Sequence, residues 1–309
     1  MSKPFDVIVI GGGPAGLAAA TMLGRVRRRV LLVDDEGGGR NEPAPAVHGY
    51  LGHDDTSPHE LRVIAQRQLE RYPSVTVRGE RAVSVSVNDG EVSVGFDGGR
   101  EERARKVLLA TGVVDILPEI DGLTDFWGKT VVHCAYCHGW ELRDQPLAAL
   151  VLRPADVMSA LQLIALSDDV VVCLHGMDEL PPDQQDRLGR VGPTTYREKI
   201  TRLEGADGRL ERIVFADGTA VERSGLFLHP STRQTAPFAR DLGCRMMDDD
   251  AVEVDETCRT SVANVFAAGD MACRHTMSEA GHQVSVAAAE GAIAAIALDQ
   301  ELLEEDLER

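Results

Sequence analysis

The opening segment, Phe5 to Gly16 (FDVIVIGGGPAG), constrains the fold more than any other part of the chain. An apolar run of strand length, Phe5 to Ile10, meets Gly11-x-Gly13-x-x-Gly16, and a helical pattern from Pro14 to Val26 begins inside the glycines. A second apolar strand, Arg29 to Val33, follows and leads into Asp34, 18 residues past Gly16. In such a strand–turn–helix–strand unit the first glycine permits the tight turn. The second lets backbone approach a pyrophosphate, and the third lets helix lie close on strand. The helix N-terminus offers free N–H groups and partial positive charge to phosphates, and an acidic residue ending the second strand accepts a ribose hydroxyl. Gly11, Gly13, Pro14, Ala15, Gly16 and Asp34 are therefore the expected dinucleotide contacts.

Further along, the pattern changes to alternation. Ala82 to Val87 and Glu91 to Phe96 flank Asn88-Asp89-Gly90, which predicts a β-hairpin. A buried strand, Val107 to Ala110, comes next. Between about 115 and 245 a second unit is expected, with strands at Pro146 to Leu152 and Val170 to Leu174 around a helix from Ala155 to Leu166. Turns at Ala206-Asp207-Gly208 and Ala216-Asp217-Gly218 punctuate a meander. Alternating strands and helices predict an open α/β sheet. A small-residue helix is expected over about 281–298, and Glu301 to Arg309 reads as a solvated acidic end. Arg27-Arg28-Arg29 reads as surface charge compensating the dipole at the first helix's C-terminus.

Composition narrows the class. The 309 residues suffice for about two domains. A net charge of −18 would repel phosphate backbones, which argues against nucleic acid as a partner. No stretch approaches the ~18 apolar residues of a spanning helix, so no membrane role is expected. The N-terminus carries no secretory pattern, and a cytoplasmic location is the expectation. Of six cysteines only Cys134 and Cys137 lie close in sequence, which suggests redox chemistry rather than a disulfide scaffold. Cys173, in the run VVVCL, reads as a small buried hydrophobe.

The segment His133 to Glu141 (HCAYCHGWE) is the chemical centre. Two cysteines three apart can close a small reducible disulfide, and a helix start or positive neighbour lowers a thiolate pKa. His138 can exchange a proton with a departing thiol near neutral pH. Three other readings stand beside this one. C-x-x-C-H is also the c-type haem signature, which requires export. A zinc site would need a second Cys or His pair at ligand spacing, and none follows; no metal is therefore expected. Two unreactive structural cysteines are the third.

Two later segments, Leu108 to Gly112 (LLATG) and Ser261 to Asp270 (SVANVFAAGD), match the ATG and F-A-x-G-D motifs of two-dinucleotide flavoproteins. By that resemblance Ala110, Thr111, Gly112, Gly269 and Asp270 would contact FAD, with Asp270 on the ribityl chain. His282-Gln283 would start a helix aimed at the flavin pyrimidine, whose developing negative charge a helix N-terminus stabilises. With CAYCHG in its place between them, the chain resembles the thioredoxin reductase-like flavoproteins of low molecular weight. The resemblance covers essentially the whole chain. It implies an α/β fold of two Rossmann-like domains, the second inserted in the first. An FAD domain (1–114 and 246–309) would be split around a nucleotide-domain insert (115–245) carrying the cysteines. Cys137 would face the flavin as the charge-transfer thiolate, Cys134 would exchange with the external dithiol or disulfide, and the protein would be a homodimer. Arg40, Asn41 and His48 would lie in the loop covering the flavin, binding it or shaping the dithiol entrance; a solvated loop is the alternative.

The chain departs from the reductases in two places. No glycine occurs between Gly139 and Gly176, so the turn after Leu150 cannot bring backbone against the NADPH pyrophosphate. The segment His175 to Leu180 (HGMDEL) is acidic where a 2′-phosphate would need arginines. Reductases also carry an aspartate where His138 stands. Both changes resemble the flavin-dependent dithiol oxidases of holomycin and gliotoxin type. In those, electrons pass from a substrate dithiol through the CxxC pair and FAD to O2, and a neutral histidine can take the thiol proton. The alternatives are a reductase of thioredoxin or a related disulfide, fed by ferredoxin or NADPH, and a non-enzymatic flavin redox sensor. The expected partner is accordingly a small dithiol or a thioredoxin-like protein.

Overall fold

The computed structural model describes residues 4–35, 37–177, 179–277 and 280–308. The chain forms two compact units: residues 1–40, 58–114 and 232–309, and residues 41–57 and 115–231. The chain thus returns to the first unit at Thr232, whereas sequence pattern alone suggested 246. The reason is packing, because Phe238, Ala239 and Cys244 are buried in the first unit's core.

In the first unit the strands Phe5–Ile10, Val30–Asp34, Val75–Gly79, Glu101–Leu109 and Val265–Ala267 run parallel. Their spatial order places Phe5–Ile10 between Val30–Asp34 and Glu101–Leu109. The strand Glu101–Leu109 divides its free edge. Its first half pairs antiparallel with the hairpin strand Glu91–Phe96, and its last residues pair parallel with Val265–Ala267. The central parallel strands are buried over most of their length, as strands covered on both faces must be, whereas the edge strand Val75–Gly79 is not. The glycine helix Pro14–Arg25 packs on one face together with the C-terminal helix Val284–Leu307, through Ala15, Ala19, Ala20, Ala294, Ala295 and Leu298.

That last helix overturns one expectation. Residues 301–307 are not a solvated tail: the helix runs through Leu307, and Leu302 is fully buried. Lys106, 1% exposed, donates to Glu301 at 2.6 Å and to Asn264 at 3.0 Å and pairs with Glu305 at 2.9 Å. Arg28 bridges Asp299 and Asp306, so it is a tertiary clamp rather than dipole compensation alone. The acidic run lacks partners locally, and its cations arrive from a strand and a helix end far away in sequence.

The second unit holds a five-stranded parallel sheet in the order Thr194–Tyr196, Val170–Cys173, Leu147–Leu150, Gly225–Leu228, Val131–Val132. Beside it lies the antiparallel meander Ile200–Ala206, Arg209–Phe215, Ala220–Glu222, turned where the sequence indicated. The helix expected from Ala155 to Leu166 is broken: a 3-10 turn at Pro154–Asp156, helix at Val157–Gln162, and a second 3-10 turn at Leu163–Ala165. Among the described residues no helix is long and apolar enough to cross a membrane.

Burial works against ionisation of Glu301 and Glu305, but hydrogen bonds from Lys106, Arg259 and Arg105 outweigh it and hold both below the usual carboxylate range. Their stabilisation is therefore complete above pH about 4.3, the ordinary glutamate value, and is lost as pH falls through the lowered folded values. Lys106→Ala should cost about 3 kcal/mol in denaturant unfolding, because it strands half-buried carboxylates. Glu304→Ala, on the exposed face, should stay within about 0.5 kcal/mol.

Candidate active site

The parallel strands of the first unit end at Ile10, Asp34, Leu109 and Ala267, and the turns after them bring the separate motifs into contact. Ligands in open α/β sheets bind at such carboxyl ends. Gly11 has φ +113°, and a Cβ there would lie 2.2 Å from the Ala110 carbonyl oxygen, so the first glycine turn and the ATG segment touch backbone to backbone. A Cβ on Gly16 would meet the Gly11 carbonyl at 1.9 Å. Gly269 lies against Ala15, its added Cβ coming within 3.0 Å of the Ala15 methyl, which joins the F-A-x-G-D segment to the glycine helix. Thr111 donates to Met271 Sδ at 3.4 Å, and the Gly112 carbonyl accepts from Thr235.

Two observations test whether a dinucleotide fits. Space beside Gly13 is open, with nothing within 4 Å of an added Cβ. Asp34 Oδ2 is buried without a hydrogen-bond partner, although Arg62 comes within 3.8 Å of it. A buried carboxylate oxygen left unbonded is costly unless a donor arrives, and a ribose hydroxyl beside an open glycine turn is such a donor. The residues fit FAD. Arg40 Nη1 donates to Asp270 Oδ2 at 2.9 Å, so these two expected contacts are neighbours. His282 and Asp270 line one small cavity with Gln234 and Asp250. Gln283 is the N-cap of the long C-terminal helix, and no side chain caps that end.

Sequence reading missed Glu290. It is buried in the same helix and accepts the Gly269 N–H at 3.0 Å, fixing the turn that carries Asp270. Burial pushes its carboxyl pKa up, and Asp270 adds to this against the Gly269 hydrogen bond and Arg274. A single acid in an otherwise alanine-rich stretch was the available signal.

In the second unit the strand Val131–Val132 runs directly into the redox segment. Cys134 is the N-cap of the one-turn helix Ala135–His138, and its Sγ accepts the Cys137 N–H at 3.1 Å. Cys134 and Cys137 form a disulfide with Cα atoms 5.2 Å apart. The pair is half-buried, while Tyr136 and Trp140 on either side of Cys137 are exposed. Both ring nitrogens of His138 are buried without a hydrogen-bond partner. Burial, with some help from His48, lowers its pKa, and Glu141 partly offsets this. His138 is therefore a neutral imidazole at neutral pH. Asn41 and His48, expected either to bind the flavin or to shape the dithiol entrance, belong to this second unit. The His48 ring stands edge-on to that of His138, with centroids 6.1 Å apart. Cys173, Cys244, Cys258 and Cys273 are buried, and burial raises the thiols of Cys173 and Cys258 to about 12, so neither is a nucleophile. No group of metal-ligating side chains is found among the described residues.

The glycine-free turn after Leu147–Leu150 has an occupant of its own. Asp156 is buried, and its Oδ2 accepts the backbone N–H groups of Leu152 at 3.1 Å and Arg153 at 2.9 Å. Arg153 Nη2 donates to Oδ1 at 3.1 Å. A side-chain carboxylate thus takes the amides that a pyrophosphate would use in the homologous turn of a nucleotide-binding domain. The acidic reading of residues 175–180 changes in detail. Lys199 packs over Gly176, within 2.8 Å of an added Cβ, so a cation stands at that turn; Asp178 lies outside the described residues.

Comparison with known proteins agrees with this geometry. The profile of the pyridine nucleotide-disulphide oxidoreductase family matches residues 5–172 and 193–291. Thioredoxin reductase sirT of Leptosphaeria maculans is 32% identical over 285 residues, covering 87% of each chain. The crystal structure of an oxidoreductase from Agrobacterium tumefaciens is 36% identical with TM-score 0.89, covering 97% of this chain and 99% of that one. The crystal structure of HlmI is 34% identical with TM-score 0.90, covering 99% and 94%.

Two glycine substitutions separate cradle from scaffold. Gly13→Ala should fold normally by circular dichroism yet bind FAD at least about tenfold more weakly, roughly 1.4 kcal/mol, because its methyl enters the open space. Gly16→Ala should fail to accumulate folded protein, since its methyl meets backbone.

Proposed function

The chain belongs to the pyridine nucleotide-disulphide oxidoreductase family, and from that footing we propose that it is a dithiol oxidase that does not use NADPH. It is an FAD-dependent oxidoreductase with a two-domain Rossmann-type fold and a Cys134–Cys137 disulfide. When bound, FAD supplies a two-electron acceptor that passes electrons on to dioxygen as hydrogen peroxide. Asp34, Gly13 and the Arg40–Asp270 pair would hold it. Cys134 and Cys137 would exchange with the substrate dithiol, and the family resemblance supports a homodimer as the working form.

The observation that carries this reading is the Asp156 carboxylate on the Leu152 and Arg153 amides. A dinucleotide phosphate would have to displace a bonded, buried anion and then face its charge. The broken helix that follows adds to this, since three residues of 3-10 turn replace the amide-rich first helical turn. Charge at the 2′-phosphate position is a weaker argument, because Lys199 is nearby. The direction of electron flow draws support from His138. A buried neutral imidazole with no partner is suited to take a proton from an incoming thiol. The names of relatives such as thioredoxin reductase sirT favour a second reading, reduction of a disulfide.

Anaerobic mixing separates the two. Dithiothreitol should bleach the flavin, NADPH and NADH should not, and readmitted air should yield one peroxide per dithiol. Bleaching by NADPH as fast as by dithiol would overturn the oxidase reading. Cys137→Ser should keep FAD and abolish bleaching. His138→Asn should slow it by about 10²-fold. The acid limb of the wild-type rate should lie below pH about 6.5, the ordinary histidine value, because His138 stays neutral until its lowered pKa is reached.

A further inference from the structure

His138 is half-buried, and both its ring nitrogens are buried without hydrogen-bond partners, so a proton taken from a substrate thiol needs a carrier to reach solvent. The second unit supplies one. The loop 41–57 is pinned by its buried residues Ala46 and Val47, and Val47 exchanges backbone hydrogen bonds with the segment at Asp55–Thr56 at 3.0 and 2.8 Å. This places His48, its side chain 13% exposed, edge-on to His138 at 6.1 Å between centroids. The two ring nitrogens of His48 each face a carboxylate: Nδ1 is 3.8 Å from Asp54 and Nε2 is 3.8 Å from Glu141. Those carboxylates reach solvent, with side chains 72% and 39% exposed, and Asp54 is held in place by accepting the Gly49 N–H at 2.8 Å. His138 and His48 are both half-buried, and the two acids beyond them are the more exposed groups. The other ionisable groups of the loop are Glu42, Tyr50, His53 and Asp55, of which Tyr50 and His53 stack on each other.

We propose that His48 is a proton-relay residue that carries the substrate's thiol proton from His138 to solvent through Asp54 and Glu141. The proposal rests on the dithiol reading of the site. The exchange balances as follows. The two substrate thiols become one disulfide, and the Cys134–Cys137 bond breaks to leave one thiol and one thiolate holding the electron pair. Of the two protons released, one stays on the enzyme thiol and one leaves by way of His138 and His48. His48 acts through His138 and is a positioning residue for the transfer. A carboxylate oxygen within 3.8 Å of each His48 ring nitrogen gives the proton an acceptor on the solvent side. The 6.1 Å centroid separation leaves the imidazoles to exchange the proton directly on a small ring movement or across one water.

The test measures reduction of the Cys134–Cys137 disulfide by dithiothreitol in the anaerobic holoenzyme, read by quenched alkylation and mass, as a function of pH. His48→Gln should be slowed about tenfold or more at neutral pH, within the range of proton-transfer catalysis. Added imidazole should restore the rate, and the difference should vanish in alkaline solution where the dithiol is already ionised. Glu141→Gln, a surface change, should show a smaller loss of the same pH shape. A His48→Gln rate equal to wild type at neutral pH overturns the relay, as does a loss equal at all pH values and unrescued by imidazole. Wild-type protein whose disulfide ignores dithiothreitol sinks the dithiol reading itself and the relay with it. Wild type that reacts while the variants match it sinks the relay alone.

Discussion

The first unit depends on backbone meeting backbone at the carboxyl ends of its parallel strands. Gly11 and Ala110 touch because one position has no side chain and a positive φ, and Ala15 meets Gly269 because both are small. These contacts draw three motifs separated by most of the chain into one cradle. They fix where the glycine helix begins, and hence where its free amides point. The C-terminal helix must then lie against the glycine helix through alanines, and the ion pairs of Lys106 and Arg28 fasten its far end. A larger residue at either contact would separate the strand ends whose turns carry Asp34 and Asp270.

The second unit repeats the parallel-sheet architecture and changes what its strand ends hold. After one strand the amides that suit a phosphate are bonded to Asp156, so the fold persists while the site is filled from within. At the end of another, Val131–Val132, the chain turns at once into the Cys134–Cys137 disulfide. The two features stand at carboxyl ends of the same sheet, with the strand Gly225–Leu228 between them. Within this unit, polar groups are buried under two opposite rules. Asp156 is bonded through both carboxylate oxygens, whereas both ring nitrogens of half-buried His138 are buried and unbonded, which is costly unless a partner arrives.

Much of this was legible from residue order. The glycine fingerprint, the hairpin at Asn88-Asp89-Gly90, the meander turns and the paired cysteines are local signals, and the structure places each in the element the pattern indicated. The errors share a cause. Residues 301–307 looked solvated because their cations sit on Lys106, Arg105, Arg28 and Arg259, all remote in sequence. The first unit resumes at 232 because burial of Phe238 and Cys244, not composition, sets that boundary. The helix after Leu152 broke because Asp156 folds back on the turn, which a helical apolar pattern does not reveal.

Sequence by itself determined the α/β class, the nucleotide cradle at Gly11 to Gly16 and the redox pair, since each is written in residues adjacent along the chain. It also showed that glycines were missing after Leu150. Only the tertiary structure decided what took their place, and which side chains surround His138. His48, Glu141 and Asp54 come from separate segments, and no local pattern links them. The same holds for Glu290 on Gly269 and for Lys199 beside Gly176. Electrostatic and hydrogen-bond partners are chosen by proximity in space, whereas strand, turn and helix are chosen by neighbours in the chain.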